Sequence, residues 1–237
     1  MNLKHYTTGI RRGLPVGVGY FSVSFGFGAM AAAQGIRALD AALISVTNLT
    51  SAGQFAGLTL MVAGATLWEV ILTQIVINSR YALMSLALSQ RMGQNIGFWA
   101  RLPIAFINTD EIFALAMARK EPLTLPFMLG LGTLPILGWT GGTLCGALAG
   151  SVLPPSFQAA LGVMLYGMFI AIVVPPAKKE KEIFAAVVLS MVLSCLFSWL
   201  PALQTVSAGI SIVICTVAAA ALCAALFPIP EEEEAGE

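Results

Sequence analysis

The chain is built mainly of apolar stretches of about twenty residues, which short turns separate. A helix that crosses a membrane needs roughly 20 mostly apolar residues. Eight stretches meet this requirement, at about 13–33, 40–63, 66–89, 99–118, 124–150, 156–175, 182–200 and 205–227. None of them alternates with the period of two that a membrane-spanning strand requires. The sequence therefore predicts an all-α, polytopic membrane helical bundle of about eight spans, in which the helices of spans 2–4 are candidates for breaks.

The composition supports the same class of protein. Of the 237 residues, 58% are apolar and only 10% are charged, and the formal net charge is zero. Soluble proteins carry about 25% charged residues. A soluble enzyme, a nucleic-acid-binding protein and a disordered chain are therefore excluded. We expect a single transmembrane transport domain over residues 1–227, followed by an acidic cytoplasmic tail over residues 228–237.

Basic residues favour one side of this eight-span topology. Cytoplasmic loops of membrane proteins carry an excess of Lys and Arg. With the N-terminus inside, Arg37, Arg91 and Arg101 face outward, and eight other basic residues face the cytoplasm. These eight are Lys4, Arg11, Arg12, Arg119, Lys120, Lys178, Lys179 and Lys181. The bias predicts that both termini are cytoplasmic.

Two of the predicted spans carry small residues at helical spacing. The fifth span has glycine at every fourth position from 138 to 150, and Gly13 and Gly17 begin a similar series in the first span. Helices in lipid associate through close packing of small residues. Helix packing is the main interpretation of both series, and a hinge or a backbone-lined pathway is the alternative.

Polar side chains concentrate in spans two to four. The second span contains polar residues and a glycine that are unfavourable on a helix face exposed to lipid: Asn48, Ser51, Gly53 and Gln54. One interpretation is a helix break within residues 51–54, whose freed backbone groups would face a cavity.

The third span contains the next polar cluster. Gln74, Asn78, Tyr81 and Ser85 share one face of a continuous helix, and Arg80 lies about 200° around the axis from Asn78. Either the helix unwinds locally or Arg80 pairs with a neighbouring span. An arginine that snorkels to the membrane surface is the alternative.

The fourth span contains Asn108 and two adjacent acids, Asp110 and Glu111. One alternative is that this segment is re-entrant or interfacial and that its acids are hydrated. In the other, Arg80 neutralises one carboxylate, and burial makes the second acid a candidate proton carrier.

These three clusters resemble the signature regions of the AzlC family. Residues 51–55 are similar to its small-small-Gln-Phe segment, and residues 78–81 to its Asn-x-Arg-aromatic motif. Phe106 with residues 109–111 resembles its Phe-x-x-Thr-Asp-Glu motif. The similarity covers roughly residues 10–227. It implies the large subunit of a bacterial branched-chain amino-acid exporter, in the inner membrane, with proton coupling and a small AzlD-type membrane partner.

The resemblance and the clusters together give the candidate site. Arg80, or the end of a broken helix near Gly53, would meet the substrate carboxylate, and Asp110 or Glu111 would meet the ammonium or carry a proton. The substrate-binding candidates are Asn48, Ser51, Gly53, Gln54, Asn78, Arg80, Asn108 and Asp110. The proton-coupling candidates are Asp110 and Glu111.

Other functions find less support in the sequence. No cofactor or metal is expected, since the only histidine is His5 and the four cysteines lack metal-ligand spacing. An enzyme is disfavoured, because nucleophile–base pairs within the membrane and cofactor motifs are lacking. A channel or a structural subunit for other small amphipathic solutes is the alternative. The expected partners are lipid, the amino acid and the small subunit, with no nucleic acid, and self-association stays open.

Overall fold

The structure is a computed structural model that describes residues 3–92, 96–150, 156, 170 and 173–228. Within these residues every extended regular element is a helix, which confirms the predicted all-α membrane bundle. The helices are α1 (Leu3–Ala33), α2 (Ala38–Thr47), α3 (Ser51–Val62), α4 (Leu67–Asn78), α5 (Arg80–Arg91), α6 (Phe98–Phe106), α7 (Asp110–Met117), α8 (Leu125–Gly150), α9 (described over 173–179), α10 (Lys181–Trp199) and α11 (Ala208–Leu226).

Among the described helices, α1, α8, α10 and α11 are each long and apolar enough to cross a membrane. The pair α4 and α5 is a fifth candidate, as one span bent by 42°. The predicted sixth span, 156–175, lies mostly outside the described residues. The count of eight spans is therefore not confirmed.

The chain divides into two compact units. One unit comprises Met1–Val62 and Ile77–Leu165, and the other comprises Ala63–Val76 and Tyr166–Glu237. In the second unit, the hydroxyl of Thr73 on α4 donates to the carbonyl oxygen of Gly209 on α11 at 3.3 Å. The single transport domain and the acidic tail stay predictions.

The first unit is organised by contact between the backbones of α1 and α8. Gly9 faces Phe127 and Gly28 faces Thr143, so the two helices advance together and run parallel. A Cβ atom on Gly146 would lie 2.0 Å from the carbonyl oxygen of Phe25. Since real Cβ atoms do not approach an oxygen so closely, this contact requires glycine. The two glycine series predicted for helix packing thus face each other.

Three helix breaks lie in the polar predicted spans. They fall at residues 48–50 between α2 and α3, at Ser79 between α4 and α5, and at residues 107–109 between α6 and α7. The breaks expected in spans two to four are therefore present. At Ser79, the bend interrupts the continuous helical face expected for Gln74, Asn78, Tyr81 and Ser85.

The break in the second span lies earlier than expected. Residues 51–54 form the first turn of α3 and do not interrupt the helix. The reason is local, because Thr50 satisfies the first amides of α3. Its hydroxyl accepts from the Gly53 N–H at 3.3 Å, and its carbonyl oxygen accepts from the Gln54 N–H at 2.9 Å. The chain unwinds at Asn48, which is extended at φ −139° and ψ 94°.

Helices α6 and α7 form a hairpin, in which the start of α6 and the end of α7 lie on the same side of the membrane. The guanidinium of Arg91, the last residue of α5, donates to the carbonyl oxygens of Arg119 at 2.5 Å and Met117 at 3.5 Å. The six residue steps from Met92 to Phe98 reach at most about 21 Å, which is less than the bilayer core of about 30 Å. Helix α6 therefore begins on the side where α5 and α7 end.

The expectation that residues 99–118 cross the membrane, with Arg91 and Arg119 on opposite sides, is wrong. The re-entrant alternative describes this segment, because the break at residues 107–109 turns the chain back. His5 on α1 contacts Thr124, just before α8, with Nδ1 3.2 Å from Oγ1. The start of α1, the start of α8 and the open end of the hairpin thus share one side of the first unit.

This arrangement predicts the sidedness of three exposed positions. In a variant without native cysteines, Gln90→Cys and Lys120→Cys should react with a membrane-impermeant maleimide from the same side. Arg37→Cys, after the far end of α1, should react from the opposite side. Labelling of positions 90 and 120 from opposite sides would contradict the hairpin.

The α1–α8 contact predicts a matched pair of glycine effects. Gly146→Ala should lower the free energy of unfolding by about 1–3 kcal/mol, because its methyl group meets backbone that cannot move aside. Gly141→Ala on the same helix is the control, since a Cβ there meets nothing within 4 Å. Thermal unfolding in detergent measures both, and equal midpoints would show that this contact does not limit stability.

Candidate functional site

An ion pair joins the first residues of two half-helices in the first unit. Arg80 begins α5 and Asp110 begins α7, and Arg80 Nη1 lies 2.7 Å from Asp110 Oδ2. Arg80 Nη2 also donates to the hydroxyl of Tyr81 at 3.1 Å. Each charged side chain is 45% exposed in the isolated chain. Both predicted alternatives for Arg80 therefore occur together, since the helix bends beside it and it pairs with another segment.

The N-termini of α5 and α7 have opposite effects on the charges of Arg80 and Asp110. The N-terminus of a helix carries partial positive charge, which favours carboxylates and disfavours cations. Asp110 and Glu111 occupy the first turn of α7, where this interaction is favourable. Arg80 occupies the first turn of α5, where it is unfavourable. Asp110, rather than its own helix, therefore stabilises the charge of Arg80.

Glu111 is held by Tyr20 of α1. The Tyr20 hydroxyl is hydrogen-bonded to Glu111 Oε2 and lies 2.7 Å from Thr109 Oγ1. No cation within the described ranges makes an ion pair with Glu111. The ring of Tyr20 packs edge-on against Trp139 of α8, with centroids 5.2 Å apart. Tyr20 is not among the residues predicted from the sequence, where its only signal is a polar-tipped aromatic ring within the glycine-rich first span.

Gln54 lies in a buried hydrogen-bond chain across α2, α3 and α8. The indole N–H of Trp139 donates to Gln54 Oε1 at 2.7 Å, and the amide nitrogen of Gln54 donates to Ser45 Oγ. The hydroxyls of Ser45 and Thr143 lie 2.6 Å apart. These four residues are at most 2% exposed. Among the described residues, this chain connects to Glu111 through Trp139 and Tyr20, and the amide of Gln54 joins α3 to α2 and α8.

Asn108 lies at the hairpin turn beside the ion pair. It is 3% exposed, and its amide nitrogen donates to the hydroxyl of Ser85 on α5 at 3.2 Å. Its Oδ1 atom is buried and accepts no hydrogen bond from the described residues. The structure therefore brings Asn108, Asp110, Glu111 and Arg80 together around one turn.

The remaining predicted residues lie at other positions. Asn48 caps the C-terminus of α2 and is half-buried, as is Ser51 at the start of α3. Gly53 is buried in the first turn of α3, and Asn78 ends α4. In the part of the chain that the structure describes, no group of three or more His, Cys, Asp or Glu residues is placed to hold a metal ion.

Comparison with known proteins gives the family. Residues 15–153, more than half of the chain, match the family described as AzlC protein. The chain belongs to the AzlC family.

Relatives of the chain are named as membrane proteins. "Inner membrane protein YgaZ" of Escherichia coli (strain K12) is 29% identical over 185 residues, which cover 75% of this chain and 76% of that protein. An uncharacterized membrane protein of Archaeoglobus fulgidus is 30% identical over 177 residues, which cover 73% of this chain and 76% of that protein. No solved structure shows significant similarity to the chain. Together with its apolar helices, these relatives show a multi-pass membrane protein.

The AzlC match covers every residue of the polar network. Tyr20, Gln54, Arg80, Glu111 and Trp139 all lie within residues 15–153, whereas α10 and α11 lie beyond them. The segment that defines the family is thus the segment that contains the helix breaks and the charges.

The buried chain at Gln54 predicts a stability effect with a matched control. Gln54→Ala should lower the free energy of unfolding by about 1–3 kcal/mol, because the indole N–H of Trp139 and the hydroxyl of Ser45 lose a buried partner. Gln204→Ala is the control, since the exposed side chain of Gln204 makes one hydrogen bond, to the carbonyl oxygen of Ser198. Chemical unfolding in detergent checks both, and equal losses would contradict a structural role for Gln54.

Proposed function

We propose that this AzlC-family protein is a secondary transporter that exports branched-chain amino acids across the bacterial inner membrane. Valine, leucine, isoleucine and their analogues are the substrates, and export is coupled to protons. The observation that carries the proposal is the Arg80–Asp110 pair at the facing ends of two half-helices. The substrate sites of secondary transporters are typically formed by discontinuous helices whose half-helix ends face the substrate.

A separable ion pair suits a zwitterionic substrate. An amino acid presents a carboxylate and an ammonium on adjacent groups, which match the guanidinium of Arg80 and the carboxylate of Asp110. If the pair opens around the substrate, one charge pair becomes two, and neither protein charge is left uncompensated. The buried Oδ1 of Asn108 supplies a further acceptor for the ammonium, which removes an unsatisfied polar atom.

The apolar side chain of the substrate has aromatic neighbours at the same turn. Phe106 precedes the break and is 48% exposed, and Phe113 follows in α7 and is partly buried. Phe55 instead packs edge-on against Phe27, with ring centroids 5.2 Å apart. One methylene group changes binding in an apolar pocket by only about 1–3 kcal/mol. A pocket of this kind would therefore accept several branched-chain amino acids.

The distribution of basic residues supports a cytoplasmic N-terminus. The first 150 residues contain nine Lys and Arg residues. With the hairpin in place, one of these, Arg37, follows the far end of α1, and Arg80 lies within a span. The other seven lie toward the side where α1 begins: Lys4, Arg11, Arg12, Arg91, Arg101, Arg119 and Lys120. By the positive-inside rule, that side is the cytoplasm, and the C-terminus is proposed to lie there as well.

The exposure of the charges supports a second subunit. A charged side chain facing lipid at mid-membrane is unfavourable by about 2.5–3.5 kcal/mol even on the mildest scale. Because Arg80 and Asp110 are each half exposed in the isolated chain, water or another protein must cover them. We propose a small AzlD-type membrane subunit in this role, as the resemblance to the family implies.

The proposal predicts which charges export requires. In vesicles that contain the protein with its small subunit, Arg80→Ala and Asp110→Asn should each reduce leucine efflux at least about tenfold. The matched controls are Arg37→Ala and Asp40→Asn, which break an exposed ion pair of 2.6 Å at the start of α2. These controls should transport normally. Full efflux by both Arg80→Ala and Asp110→Asn would overturn the site.

A further inference from the structure

We infer that Glu111, and not Asp110, carries the coupled proton, and that Tyr20 is its positioning residue. This inference rests on the proposed proton-coupled export and names the group responsible for the coupling. It follows from the different partners that the two adjacent acids have in the structure.

Among the described residues, two acidic side chains and one basic side chain lie at the hairpin turn, so one acid has no cation to pair with. Arg80 is the only cation near the turn in the described chain, and its guanidinium contacts Asp110. The titratable and charged groups around Glu111 are Tyr20 from α1, Arg80 and Tyr81 from α5, and Asp110 beside it. Helix α8 contributes Trp139, which does not titrate. Protonation of Glu111 therefore makes the cluster neutral without breaking an ion pair.

The hydroxyl of Tyr20 can hydrogen-bond to Glu111 in either of the two protonation states of that carboxyl group. The phenol carries one proton but lies within hydrogen-bond distance of two oxygens, Glu111 Oε2 and Thr109 Oγ1. When Glu111 is ionised, Tyr20 donates to the carboxylate, and the hydroxyl of Thr109 donates to the phenol oxygen. When Glu111 is protonated, its own O–H donates to the phenol oxygen, and Tyr20 donates to Thr109.

The proton balance of this cycle is simple. The Glu111 carboxylate takes one proton from water on one side of the membrane and becomes a neutral carboxylic acid. It later returns that proton to water on the other side, and no other covalent bond forms or breaks. Tyr20 keeps its own proton throughout, because only the direction of its hydrogen bond changes.

This reversal is placed where it can affect the substrate site. Thr109 is the N-cap residue of α7, so its hydroxyl lies at the start of the half-helix that carries Asp110. Asp110 is the residue that must release Arg80 for the substrate to bind between them. Protonation of Glu111 therefore changes the hydrogen bonding of the residue directly before Asp110.

Comparison of two transport modes tests the assignment. A coupled carrier that loses its proton-binding group cannot complete net proton-driven transport, but it can still exchange substrate for substrate. Glu111→Gln should therefore reduce leucine efflux driven by a pH gradient at least about tenfold, while leucine–leucine exchange stays within about twofold of wild type. Asp110→Asn should lose both modes, because it disrupts the substrate site.

Tyr20→Phe tests the positioning role separately from stability. This variant keeps the ring contact with Trp139 and removes only the hydroxyl. It should retain exchange, while the midpoint of the pH profile of net efflux moves by at least about half a pH unit. Unchanged exchange shows that the variant folds, so a shift in the pH profile reports on Glu111.

The outcomes separate this inference from the proposed function. If wild-type vesicles show no proton-driven leucine efflux, the proposed function fails and the inference fails with it. If the wild type is coupled, retained proton-driven efflux in Glu111→Gln overturns the inference and leaves the proposed function intact. A normal pH profile in Tyr20→Phe would overturn the positioning role.

Discussion

The backbone contact between α1 and α8 is the constraint on which the rest of the first unit depends. Lipid gives no hydrophobic driving force for association, so helices must gain contact energy through close approach. Glycine on both helices permits that approach. The same register persists along the helices, from Gly9 beside Phe127 to Ala29 beside Gly150. Because the register is fixed, Tyr20 on α1 lies beside Trp139 on α8. The polar network is therefore positioned by residues that have no polar side chain.

The parallel direction of α1 and α8 also limits the chain between them. After α1 crosses, one net return crossing is required before α8 can begin beside the start of α1. Helix α5 already ends on that side, where Arg91 contacts Arg119. The hairpin of α6 and α7 therefore enters and leaves without a crossing. This detour places the N-terminus of α7, with its two acids, against the start of α5.

Much of this arrangement could be predicted from the sequence, and the remainder could not for physical reasons. Helices, glycine contacts and polar clusters are local properties of composition and spacing. The pairing of Arg80 with an acid of a neighbouring segment was one of the alternatives that the charges indicated. The hairpin was only one of two alternatives, because the consecutive apolar half-helices of nine and eight residues approach the length of a single span. Tyr20 and the partner of Gln54 depend on contacts between positions 85 or more residues apart.

The two acids at the hairpin turn differ in what their charge does for the fold. The charge of Asp110 is stabilised by two interactions, one with Arg80 and one with the N-terminus of its own helix. The charge of Arg80 is stabilised by Asp110 and is disfavoured by the N-terminus of α5. A substrate carboxylate can therefore replace Asp110 at Arg80, while the terminus of α7 still stabilises Asp110. Glu111 has a neutral donor in Tyr20, which can hold either protonation state. One turn thus contains a charge pair that can open and an acid that can change charge, adjacent in sequence but distinct in their partners.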